Sequence, residues 1–190
     1  MQTNRFETFI DAIIAIIITV LILKIAQPVN PTLSAIWDLK VFYIAYLISF
    51  LTLFNIWYTN HNLFKKIDNI DNNVVWIYGI MTFIISLIPY FTTWVALNIE
   101  AIPAETMFGL LFISINILHI LSVKAIYKSN PYNKELQKAD KNIYYQLIPE
   151  IIIFIGFILT YTIYRPGIYF SCLIAIVMWI FISWSEDNGD

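Results

Sequence analysis

Arg5-Phe6-Glu7-Thr8-Phe9-Ile10-Asp11 runs without a break into Ala12–Leu23, which holds no charge, no Gly and no Pro. A helix needs about 20 mostly apolar residues to cross a bilayer. This stretch supplies them and sets a single carboxylate, Asp11, at the entrance. A charge there is costly to bury, so Asp11 requires a partner or a purpose. The rest of the chain reads as further helices arranged around this one.

Composition agrees. Of 190 residues, 59% are hydrophobic, 17% aromatic and only 13% charged. A soluble domain is nearer one quarter charged. The mean hydropathy of +0.73 also indicates an all-α integral membrane protein. The net charge of -2 comes with no basic tract, so nucleic acid is not an expected partner. The lone Cys172 lies in an apolar run, which excludes a disulfide framework or a thiolate metal site. The start does not read as a cleaved signal peptide: only Arg5 precedes the apolar run, and Ala26-Gln27-Pro28 is a poor cleavage site.

The hydropathy pattern predicts one domain, 1–190, with six spans at about 6–26, 37–61, 74–97, 104–127, 143–164 and 168–184. Pro28 and Pro31 end the first, and Pro89 breaks the third near its far end. Pro149-Glu150 falls inside the first third of the fifth, and Lys128–Asn142 is the one long polar linker. An even number of spans puts both termini on one side. That side holds Arg5, Lys65, Lys66, Lys124, Lys128, Lys134, Lys138 and Lys141, against Lys24, Lys40 and Arg165 on the other. Positive charge stays inside, so the reading is a multi-pass protein of the cell (plasma) membrane with both termini cytoplasmic. No internal duplication supports an inverted-repeat transporter.

Few polar groups lie at membrane depth: Asp11, Asn55, Asn60, His61, Asn116, His119 and Glu150. Helix-packing hydrogen bonds are the ordinary use of such residues. Glu150 is expected to snorkel to the cytoplasmic surface, and Asp11 and His61 lie near the same ends of their spans and are able to meet. With two His in the chain and no His/Glu spacing motif, neither a metal site nor an enzyme is expected. No Gly-rich phosphate loop and no cofactor motif appears.

The first helix also has an uncharged face. At about 100° per residue, Ile16, Val20 and Leu23 fall within about 60° of one another. Phe9 and Ile13 extend this stripe, and Thr19 flanks it. Asp11 falls on nearly the opposite face, with Ile14, Ile18 and Ile25. The helix is apolar all round, so periodicity alone leaves open which face meets lipid.

Three segments carry a resemblance. Arg5-x-x-x-Phe9-Ile10-Asp11 resembles the Arg-x-x-x-Phe-Ser-Asp signature of the transmembrane protein 175 family, lysosomal and prokaryotic potassium channels, with Ile10 in place of the Ser. Trp57 to Phe64 is similar to the family's Trp-x-x-x-His-His-x-x-Phe segment, with Asn62 replacing the second His. Leu87-Ile88-Pro89-Tyr90-Phe91-Thr92 is similar to its Pro-Phe-Pro-Thr segment. The resemblance implies a homotetramer whose first helices line a central pore. It places the pore constriction on Ile16, Val20 and Leu23 and a polar selectivity layer on Thr19. It assigns Arg5, Phe9, Asp11, Trp57, Asn60 and His61, with Trp76 as a further candidate, to a network supporting the pore helix. Potassium would be the permeating ion, not a cofactor.

The residues are compatible with that implication. No Thr-Val-Gly-Tyr-Gly carbonyl filter is present. A ring of Ile16 obstructs by dewetting and offers no oxygen, whereas Thr19 offers a hydroxyl one turn on. Only a weak to moderate potassium preference is therefore expected. Glu100 and Glu105 are candidates for concentrating cations at the outer mouth. The alternative reading is a proton-coupled small-solute or cation transporter using Asp11, His61 and Glu150.

Overall fold

The computed structural model describes residues 3–67, 70–133, 136, 145 and 147–188. Its described elements are all helical: α1 (Thr3–Leu23), α2 (Leu33–Asp38), α3 (Lys40–Phe64), α4 (Asn72–Ser86), α5 (Ile88–Leu97), α6 (Ile102–Ser129), α7 (Ile148–Thr162) and α8 (Gly167–Asn188). Among the described residues, five segments are long and apolar enough to cross a membrane: α1, α3, α4 with α5, α6 and the first part of α8. The chain is a multi-pass membrane protein.

Prolines set several boundaries differently from the hydropathy pattern. The span expected at 104–127 begins earlier, at Ile102, with Pro103 in the first turn of α6. The span expected at 143–164 begins later, at Ile148, with Pro149 in the first turn of α7. Proline lacks the N–H that an interior helical position needs, and its fixed φ suits the first turn. Residues 143, 144 and 146 of the expected span lie outside the described residues. At 15 residues, α7 is about 22 Å long, shorter than the hydrocarbon core. Pro89 likewise separates α4 from α5, and Leu87 serves as the C-cap of one and the N-cap of the other. The second span, expected from Trp37, is α3 alone; Trp37 belongs to the short α2, capped by Thr32, whose hydroxyl accepts from Ala35 N at 3.3 Å.

The helices divide into a central group and a peripheral one. α6 packs against α4, α5, α7 and α8, and α3 against α1, α5 and α8. α7 and α8 form the most extensive pair, joined through a tight turn at Tyr164–Pro166. Gly156 permits the close approach, since a Cβ on it would strike Ser171, and Gly109 of α6 likewise leaves room for Ile168 of α8. α1 lies on the margin, packed mainly on α3, α4 and α5. Tyr78, Phe108, Ile48, Ile115 and Tyr169 fill the core with no exposed surface.

Candidate functional site

The first helix presents three faces. Phe6, Ile10, Ile14, Ile17 and Leu21 are buried against the rest of the subunit. Their spacing of three and four residues is a single helical stripe. About 120° to one side lies Ile16, 61% exposed, continued by Thr19, Val20 and Leu23, which is 80% exposed. About 100° to the other side lie Glu7 and Asp11, both half-buried. Asp11 and the Ile16 stripe therefore flank the packed face on opposite sides. The Thr19 hydroxyl donates to Ile16 O at 2.7 Å. Its proton is thus held by the helix, and its oxygen lone pairs remain on the exposed side.

The acidic flank meets the end of α3. Glu7 Oε1 lies 2.8 Å from His61 Nδ1. The His61 ring stacks on Trp57, one turn away, with centroids 5.6 Å apart and planes 7° from parallel. Trp57 in turn hydrogen-bonds the Asp11 carboxylate. Glu7, His61, Trp57 and Asp11 are one connected set between α1 and α3. The expected meeting of Asp11 with His61 occurs through this set, with Glu7 as the direct partner. Glu7 belongs to the site although no motif points to it; the available signal is that it lies four residues from Asp11 and shares its flank.

A second anchor is aromatic. The Phe6 ring meets Tyr78 edge-on at 5.4 Å and Phe64 at 5.8 Å. The Tyr78 hydroxyl donates to Asn60 Oδ1 at 2.9 Å and hydrogen-bonds Ser122. Phe6 therefore joins α1 to α3 and α4, and Asn60 secures the residue it packs on. The Phe9 side chain is 59% exposed and lies outside this cluster. Arg5 is exposed and, among the described residues, forms no ion pair. Trp76 is 75% exposed on α4. Within one subunit, these three residues do not buttress α1.

The other membrane-depth polar groups serve packing. Glu105 is fully buried in the first turn of α6 and accepts from Tyr169 N at 2.8 Å at the start of α8. Its carboxylate sits at the positive end of that helix. It is a structural cap and does not face the outer mouth; Glu100 is the exposed one of the pair. Glu150 does not snorkel. Its Oε1 accepts from Asn116 Nδ2 at 2.6 Å beside a cavity of about 20 Å³, room for one water, which Thr52, Cys172 and Trp179 also line. His119 is buried edge-on against Trp179, with centroids 5.5 Å apart. Asn55 is buried within α3. Asp11 and His61 are thus brought together, and Glu150 is committed elsewhere. Among the described residues, no group of three or more metal-ligating side chains converges.

Residues 5–89 match the model of the family described as endosomal/lysosomal potassium channel TMEM175. A potassium channel of Chryseobacterium sp. (strain P1-3) is 24% identical over 177 residues, covering 93% of this chain and 92% of that protein. The chain is similar to the TMEM175 family. A potassium channel of Chamaesiphon minutus is 26% identical over 126 residues, 62% of each chain. The crystal structure of a lysosomal potassium-selective channel TMEM175 homolog from Chamaesiphon minutus matches with a TM-score of 0.78 at 22% identity, over 98% of both chains. That likeness shows that the fold is shared. The TMEM175 family is one of channels, not enzymes, and the comparisons do not favour a transporter. The matched segment contains α1 and its partners α3 and α4. Ile10, where the TMEM175 signature has a Ser, is 3% exposed on the packed face of α1. An apolar side chain suits that position, which looks into the core.

Proposed function

We propose that the chain forms a potassium-permeable cation channel, a homotetramer in the cell membrane with four copies of α1 around the pore. One observation carries the reading. α1 leaves Ile16, Thr19, Val20 and Leu23 uncovered by its own subunit, while a different stripe of the same helix makes the packing contacts. In this arrangement Ile16, Val20 and Leu23 form apolar rings that narrow the path and gate it by dewetting. Thr19 is the polar layer: its oxygen, with the proton turned back to the helix, faces a partly hydrated cation. Without rings of backbone carbonyls, discrimination between potassium and sodium is weak to moderate. Potassium is the permeating ion and no cofactor is required.

The supporting network is Asp11, Trp57, Asn60 and His61 within the subunit, with Arg5 and Phe9 turned outward toward a neighbouring copy. Both termini are cytoplasmic, and α7 completes six spans by local thinning of the bilayer around a short helix. The transporter reading, with Asp11, His61 and Glu150 as one relay, is disfavoured by the bond that commits Glu150 to Asn116.

The test is cation flux into liposomes. Ile16→Asn replaces an apolar ring with a polar one on an exposed face. Potassium flux should rise about tenfold, equivalent to lowering the barrier by about 1.4 kcal/mol. Unchanged flux and unchanged potassium-to-sodium ratio would show that Ile16 does not line the path. Crosslinking in mild detergent that stops at a dimer would sink the shared central pore.

A further inference from the structure

The α7–α8 pair carries a feature that a pore on α1 does not use. Gly156 on α7 and Gly167 at the start of α8 bring the two backbones together, because a Cβ on either would collide with Ser171 or Thr160. Beside this close contact a trough of about 370 Å³ runs along the outside of the pair. Ile155 and Leu159 of α7 form one wall, and Phe170 and Ile174 of α8 the other. All four are exposed on the surface of the protein. The trough is open to the surroundings, which for a membrane span is lipid.

One end of the trough has a different chemistry. It reaches Tyr164 and Gly167, the residues on either side of the Arg165-Pro166 turn. The Tyr164 and Phe170 rings pack 6.0 Å apart at this mouth. Arg165 is exposed and, among the described residues, forms no ion pair. An amphipathic Tyr beside an exposed Arg is the composition of a headgroup-level anchor. The guanidinium presents several donors in a fork that matches a phosphate.

We propose that the α7–α8 trough is a site for an anionic phospholipid, its acyl chain lying between Ile155/Leu159 and Phe170/Ile174 and its phosphate on Arg165. The occupant is fixed by the pairing of an apolar trough with a cationic mouth. A second protein helix would satisfy the trough and leave the arginine unmatched. The site uses no residue of α1, so failure of the channel reading would leave it standing.

Native mass spectrometry of the delipidated full-length protein, with phosphatidylglycerol or phosphatidylcholine added back, tests it. Wild type should retain phosphatidylglycerol in preference. Arg165→Gln should lower phosphatidylglycerol retention about fivefold, equivalent to about 1 kcal/mol for one basic residue near anionic lipid. It should leave phosphatidylcholine unchanged. Ile155→Trp, at an exposed wall position, should fill the trough and reduce retention of both. Equal retention of the two lipids by wild type, or no change on Arg165→Gln, would overturn the proposal. Loss of helicity in Ile155→Trp would remove that arm only, because Arg165 lies in an exposed turn and its substitution tests the same claim.

Discussion

α1 and the α6–α8 group treat their polar and apolar residues in opposite ways. In α6–α8 three ionisable groups are turned inward: Glu105 caps α8, Glu150 is bonded to Asn116, and His119 lies against Trp179. In α1 the carboxylates sit on a flank, and a stretch of Ile, Val and Leu is left uncovered. A buried ionisable group in this molecule marks a place where helices are locked together. The open apolar face marks a place where something else must dock or pass. Within a bilayer, intramembrane polar residues are functional candidates by default; here they hold the scaffold on which the uncharged face is displayed.

The contrast can be broken most sharply at the two phenylalanines of α1. Phe6→Ala removes a buried ring that bridges α1 to Tyr78 and Phe64, and should cost about 3–5 kcal/mol of stability in detergent unfolding. Phe9→Ala, on the exposed side, should cost under about 1 kcal/mol in the isolated subunit. Equal losses would mean that Phe9 is packed and the assignment of faces is wrong.

Glu105 is next in size. Glu105→Ala strips an acceptor from the start of α8 and leaves a buried N–H unsatisfied, for a loss of about 1–3 kcal/mol in thermal unfolding. Glu105→Gln keeps an acceptor oxygen and should recover most of that. If both variants instead lower cation flux without changing stability, Glu105 faces the permeation path after all.

Smaller effects sharpen the comparison. Asn116→Ala removes one interhelical hydrogen bond and should cost about 0.6 kcal/mol, typical for such bonds within membranes. Ile16→Asn should change subunit stability by no more than about 0.5 kcal/mol, the range for surface positions, while altering flux as described above. A large stability loss at Ile16 would place it in a packed interface within the subunit.

Much of this is legible in the residues. Prolines and apolar runs locate the helices to within a few positions, since burial in lipid leaves the backbone few options. The boundaries at Ile102 and Ile148 differ from the hydropathy pattern for one reason, that a proline tolerated inside an apolar pattern belongs in a first turn. The signature around Arg5–Asp11 leads to the family that the comparisons match. The direct partner of His61 is not legible, because both Glu7 and Asp11 lie on the correct flank and spacing alone does not rank them. The anchoring role of Phe6 is hidden for a similar reason: two phenylalanines three residues apart look alike until one is packed.

By itself, the sequence determined that the chain is a bundle of membrane helices, that α1 carries a stripe of Ile16, Val20 and Leu23 with Thr19 beside it, and that Asp11 points away from that stripe. Only the tertiary structure decided which side of α1 is packed. A helix that is apolar all round has no polar side to tell lipid, neighbouring helix and open face apart. That choice came from shape: Phe6, Ile10, Ile14, Ile17 and Leu21 fit against α3–α5, and what they left uncovered is the face we assign to the pore.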